Sequence, residues 1–390
     1  MSRFALVPCL LLCFFSGKAQ ETVKEVIVPF YTERIKLSYS PELLDFKDPT
    51  ISEKGLVQFF KTLAGNNYSH LLKSLRQSKN VLQLNDWFYY QLMVNSTEQL
   101  LQGKAQNTKE LFCWFLMAQS GYDTRLAYFD EEVYLYVYTN DDIFEAPIIS
   151  DAGKQFVNLS RIFDSTAFQK ALYLLNFTPN TDGHSFSFAI HDLPALKPKI
   201  KEKNLEFSFR QQVHKLSLQV DEGIKDYMFN YPLIAESQYF DAPISKTLAA
   251  SLEPQLRKIL LGKNEWESIE IIASFTRSAF KYQEDKQCFG RSKPMIPDEV
   301  FLHPYSDCED RSVVFYYLVK EMLNLPMIVL AYPDHLTVAV ALPQTREGAI
   351  FYQGKAYYVC DPTGPVNSSE VGSIPKGYED QPFEIIKKYK

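Results

Sequence analysis

The chain passes twice through one order of segments: helical stretches first, then short strand-like runs. In the first pass, 55–75, 85–93 and 109–119 are expected helices, with Gly121 as a stop. Residues 124–128 and 132–138, rich in β-branched and aromatic side chains, are expected strands. In the second pass, 248–261, 266–280 and 312–323 are expected helices, and Trp266, Ile269, Ala273, Thr276 and Phe280 fall on one face of the middle one. Strands are expected at 327–332, 336–342, 349–352 and 356–360. Helices segregated from strands in this way predict an α+β fold.

Between the passes, 184–190, 205–209 and 216–220 alternate polar with apolar, as half-buried antiparallel strands do. The Pro- and Lys-rich stretch 193–203 reads as a turn or linker, and 226–245 as an irregular connection. The expected organisation is an N-terminal α+β region at 20–180, a small β unit or linker at 181–225 and a C-terminal domain at 226–390. A shift of 204 residues lays Leu330-Ala331-Tyr332 on Leu126-Ala127-Tyr128, His335 on Glu131 and Cys308 on Lys104. With a gap, Asp361 then falls on Leu159. Residues 80–165 are thus expected to be a diverged copy of the C-terminal unit, left as a partner- or substrate-binding region without a nucleophile.

Residues 1–19 have the layout of a secretory signal: a basic start at Arg3, an apolar run from Phe4 to Phe15, and small residues around Lys18. The run is too short to span a bilayer, and no later stretch is apolar enough to do so. The mature chain is therefore expected to be exported, periplasmic or secreted, with no integral membrane segment. Removing Arg3 and Lys18 takes the net charge from −6 to −8, which gives no electrostatic reason to expect nucleic acid. Of six cysteines, Cys113, Cys288, Cys308 and Cys360 remain after the signal. Cys113 sits in an apolar helical run and reads as core. A disulfide from Cys308 to Cys288 or Cys360 is the alternative that would abolish thiol chemistry.

Cys308 follows a loop rich in Gly and Pro and opens a helix, where free N–H groups and the helix dipole favour a thiolate. His335 starts the next strand pair, and Asp361 ends a later strand. If those strands pair, the imidazole can contact the thiol on one side and the carboxylate on the other. Asp310 suits the first helical turn and Arg311 can tie the loop down, so both read as structural. His70, His184, His191 and His214 show no ligand spacing; no metal or cofactor is expected.

Tyr305-Ser306-Asp307-Cys308-Glu309-Asp310-Arg311-Ser312, Tyr332-Pro333-Asp334-His335 and Cys360-Asp361-Pro362-Thr363 resemble the transglutaminase-like superfamily, in its exported bacterial variant. The resemblance covers roughly 260–365. It implies a papain-like α+β domain, with Cys308 as nucleophile, His335 as base and Asp361 as orienting group. It implies acyl transfer or hydrolysis on a protein or peptide carboxamide through a thioester, and does not select among crosslinking, deamidation and hydrolysis. Two features depart from the family pattern: Leu336-Thr337 follows the histidine where many members carry an aromatic residue, and Leu302 stands where papain-type enzymes place an oxyanion-hole glutamine. Tyr305, His303, Gln283 and Gln287 are candidates for the second oxyanion donor. The alternative function is a non-catalytic binding or assembly protein with a vestigial triad.

Overall fold

Val28, Phe30, Ile35 and Leu37 are buried and alternate with more exposed neighbours, so β1 (Lys24–Phe30) and β2 (Glu33–Tyr39) pair as an antiparallel hairpin with one covered face. The computed structural model describes residues 22–164, 172–343, 346–364 and 370–390; the export signal expected at 1–19 lies outside them. After the hairpin come α1 (Glu53–Gly65), α2 (Ser69–Val81), α3 (Asp86–Leu100) and α4 (Gln106–Gln119). The single helix expected at 55–75 is two, because the chain turns extended at Asn66 and restarts at Ser69. β2 lies against α2 and β1 against α3.

Next are β3 (Thr124–Phe129), β4 (Glu132–Tyr138), β5 (Ile143–Phe144), β6 (Ile148–Asp151), β7 (Lys154–Asn158) and β8 (Tyr173–Leu174). Except for β5, they form one antiparallel sheet in the order β6-β7-β4-β3-β8. The stretch 184–190 is no strand. It makes single bridges, Tyr122 to His184 and Thr139 to Phe186, and its alternating Phe186, Phe188 and Ile190 are buried. The period was read correctly, but loop backbone rather than a strand answers it.

The second half begins with another hairpin, β9 (Ile200–Phe209) and β10 (Gln212–Asp221), then α5 (Gly223–Met228), β11 (Leu233–Ile234), α6 (Glu236–Tyr239), α7 (Lys246–Leu260) and α8 (Glu265–Ser278). β10 lies against α7 and β9 against α8, so this hairpin packs within the second half as β1–β2 packs within the first. Four short elements follow: β12 (Lys281–Tyr282), α9 (Asp285–Phe289), α10 (Pro297–Leu302) and β13 (Tyr305–Ser306). Then come α11 (Cys308–Leu323), β14 (Met327–Ala331), β15 (Leu336–Ala341), β16 (Ile350–Tyr352), β17 (Lys355–Val359) and β18 (Glu384–Tyr389). The sheet order is β16-β17-β15-β14-β18, strand for strand that of the first unit, and again antiparallel throughout.

Local chemistry repeats along with topology. Asn85 and Asn264 cap α3 and α8 by accepting the backbone N–H three residues on, at 3.1 and 2.9 Å, and each is followed by an acid and a buried Trp. Ala152-Gly153 and Gln353-Gly354 turn the β6–β7 and β16–β17 hairpins, with φ positive at all four residues, as a two-residue I′-type turn requires. The Leu159 N–H donates to Leu135 O, and the Cys360 N–H to Val338 O, both at 2.8 Å. That register places His335 opposite Glu132 and Asp361 opposite Ser160, one residue from the positions expected from sequence.

The two units share one continuous core, and β5 pairs with β11 across them. Among the described residues no helix is long and apolar enough to cross a membrane. Replacing Asn264 with Ala removes one cap and lowers stability by about 1 kcal/mol. Asn85 also donates to Tyr231 Oη at 2.7 Å. Asn85→Ala is therefore expected to cost more, about 2 kcal/mol, in urea unfolding. Equal losses would show that the Tyr231 bond contributes nothing.

Candidate active site

Asp307, extended at the N-cap, sets Cys308 as the first residue of α11. The Ser312 hydroxyl, one turn on, donates to Leu336 O at 3.1 Å, fastening this end of the helix to the strand that follows His335. His335 Nε2 lies 3.4 Å from Asp361 Oδ1. That is long for a hydrogen bond, and among the described residues no other group hydrogen-bonds Nε2. The pair is an electrostatic contact, with Nδ1 left as the nitrogen for a thiol. Asp361 Oδ1 also accepts from the Thr363 hydroxyl at 2.6 Å and its N–H at 3.2 Å. Burial alone would raise the Asp361 pKa, but the His335 contact and the hydrogen bonds from Thr363 hold it below the ordinary carboxyl value. The structure thus brings His335 and Asp361 together near the end of α11 that Cys308 opens; among the described residues the Cys308 thiol bonds Glu309 and not His335.

Arg277 Nε and Nη2 both donate to the Asp361 carbonyl, the former at 2.6 Å. Arg311, 2% exposed, donates to Ser306 Oγ and to the carbonyls of Arg277, Phe280 and Thr363, at 2.7–3.3 Å. Its expected loop-tying role is what these bonds perform. Sequence reading missed Tyr378. Its ring stacks on His335 with centroids 4.9 Å apart, and its hydroxyl donates to Asp334 at 3.0 Å. It lies in a segment without regular periodicity, 43 residues after the histidine, so no spacing signal pointed to it.

The expected thiolate is corrected by the surroundings. The Cys308 thiol donates to Glu309 Oε2 at 3.0 Å. Burial first, then Glu309 and Asp307, push its pKa well above the ordinary thiol value; a backbone hydrogen bond from Leu336 works the other way. Burial and these carboxylates both act against the helix dipole. Cys113, Cys288, Cys308 and Cys360 are all free, so the disulfide alternative is not realised. Cys113 and Cys360 are buried in the core. Among the oxyanion candidates, His303 packs edge-on to Phe289, and burial lowers its pKa to about 4.

Behind Cys308, Asp285, Asp307 and Asp310 bring carboxylate oxygens within 4.8 Å of one another. That spacing could hold a cation, but both Asp310 oxygens and one Asp285 oxygen already accept backbone N–H groups. Burial leads the causes that raise all three acids, Asp285 to about 6. An acid with a raised folded-state pKa stabilises most below its unfolded value and loses that contribution as pH rises through the folded one.

Comparison with known protein families, curated proteins and solved structures finds no match for this chain. Because Asp285, Asp307 and Asp310 are all raised, urea midpoints should fall between pH 5 and pH 8, and Asp285→Asn should shrink the difference; an unchanged difference would mean that Asp285 is ionised throughout. Iodoacetamide at neutral pH should modify partly exposed Cys288 ahead of Cys308, and Glu309→Gln should speed Cys308 labelling, by about tenfold for each unit its pKa falls. Labelling no faster than in the parent would show that Glu309 does not hold the proton.

Proposed function

We propose that the chain is an exported cysteine acyltransferase or hydrolase of transglutaminase-like type, acting on a protein or peptide carboxamide. The observation that carries this reading is the His335–Asp361 contact at 3.4 Å, near the end of α11 that Cys308 opens. Substrate entering beside Cys308 displaces the Glu309 contact, and His335 Nδ1 takes the thiol proton. Sulfur attacks the carbonyl carbon, and the Cys308 backbone N–H at the open helix end stabilises the oxyanion. The C–N bond breaks as His335 returns the proton to the leaving amine. The thioester is then resolved by water or a second amine. Asp361 stabilises the imidazolium, and Tyr378 fixes the ring plane.

One observation favours the binding or assembly alternative: the Cys308 thiol donates to Glu309 Oε2 at 3.0 Å, and burial with the neighbouring carboxylates raises its pKa. A peptide-carboxamide library, quenched in acid and examined by mass spectrometry, separates the two. The enzyme reading expects a thioester on Cys308, absent in Cys308→Ala, with His335→Asn lowering the acylation rate by at least about a hundredfold. Failure of the whole library to acylate Cys308 would favour the binding protein.

A further inference from the structure

The first unit has a cavity where the second has its triad. Counted from the matched caps Asn85 and Asn264, Thr97 and Glu98 of α3 correspond to Thr276 and Arg277 of α8. Gln106, first in α4, corresponds to Cys308, and Ser160 to Asp361. Thr97, Glu98, Gln106 and Ser160 line a cavity of about 140 Å³, together with Glu110 and Arg161. Gln106 and Ser160 stand there in place of Cys308 and Asp361, and both line this cavity.

Its polar wall is incomplete. Glu110 is 8% exposed, and its Oε1 accepts from Arg161 Nη1 at 2.7 Å and from Gln106 Nε2 at 3.3 Å. Its Oε2 is buried and has no hydrogen-bond partner among the described residues. A buried acceptor of this kind calls for a donor. The cations at the wall are already committed, Arg161 to Glu110 at 2.7 Å and Lys109 to Glu98 at 2.5 Å. A guest with a net charge would enter without a counter-ion, whereas a neutral N–H donor would not.

We infer that this cavity binds a small neutral amide, whose N–H is received by Glu110 Oε2. Its carbonyl meets the donors of Gln106 and Arg161, and its aliphatic part lies against Val94 and Leu135, which also line the hollow. The site is independent of thiol chemistry, so its test is run in the full-length Cys308→Ala chain, where turnover plays no part.

The probes are propionamide, propionate and propylamine, matched in size and differing in charge, titrated against the methyl resonances of Val94 and Leu135. Propionamide should give saturable shifts at millimolar concentration, and bind at least about tenfold more tightly than either charged probe. Glu110→Gln keeps an oxygen for Arg161 and puts an NH₂ where Oε2 was, so it should weaken propionamide binding by about tenfold. Equal binding of the three probes, preference for propylamine or propionate, or no shift at Val94 and Leu135 would each overturn the inference. The probe comparison needs no substitution at Glu110, so a poorly folded Glu110→Gln chain leaves it decisive.

Discussion

The buried guanidinium of Arg311 is the interaction on which the candidate site depends. It reaches the end of α8, the β13 hydroxyl of Ser306 and the loop after β17 from one position in the first turn of α11. Each of those segments holds a piece of the site: Arg277 supports Asp361 from α8, Ser306 leads into Asp307 and Cys308, and Thr363 bonds the Asp361 carboxylate. A planar fork of five donors suits this task, because it satisfies several carbonyls in fixed directions at once; a lysine ammonium would not. Desolvating the charge is costly, and the hydrogen bonds and the face of Tyr282 offset that cost.

Charge around the helix start runs against simple dipole reasoning. A dipole contributes about half a charge at the N-terminus. Glu309 accepts from the Cys308 thiol there, and Asp285, Asp307 and Asp310 crowd three more carboxyls behind it, each with its pKa raised by burial first and by its acidic neighbours. The capping box between Asp307 and Asp310 serves the backbone, and the thiol bears the electrostatic consequence. Under the proposed reading, substrate would have to displace the Glu309 contact before the thiol could react.

Much of the fold was legible in the sequence, because period and composition report burial. The helix faces at Trp266, Ile269, Ala273 and Thr276 and the strands around Leu135 and Val338 emerged in this way. The edge strand β18 did not, because its half-exposed Glu384–Tyr389 has no strong alternation. The repeat was legible but misregistered. Its clearest signal, Asn-acid-Trp at Asn85-Asp86-Trp87 and again at Asn264-Glu265-Trp266, lies outside the Leu-Ala-Tyr match used to align it. The positions of Cys308, His335 and Asp361 followed from residue type and local context. The state of the thiol did not, since it depends on which carboxylates fold against it. Tyr378 was hidden because stacking on an imidazole leaves no mark on spacing.

The shared core has a consequence for how damage spreads. Buried side chains run without a break from the first sheet to the second, and β5 is paired with β11. Opening either half would expose apolar surface on the other, so the two melt as one cooperative unit rather than as beads on a string. The first half is in that sense part of the scaffold of the half that holds Cys308, His335 and Asp361. Lesions far from Cys308, at Trp87 or in the β1–β2 hairpin, would therefore disturb the candidate site by lowering the population of intact molecules.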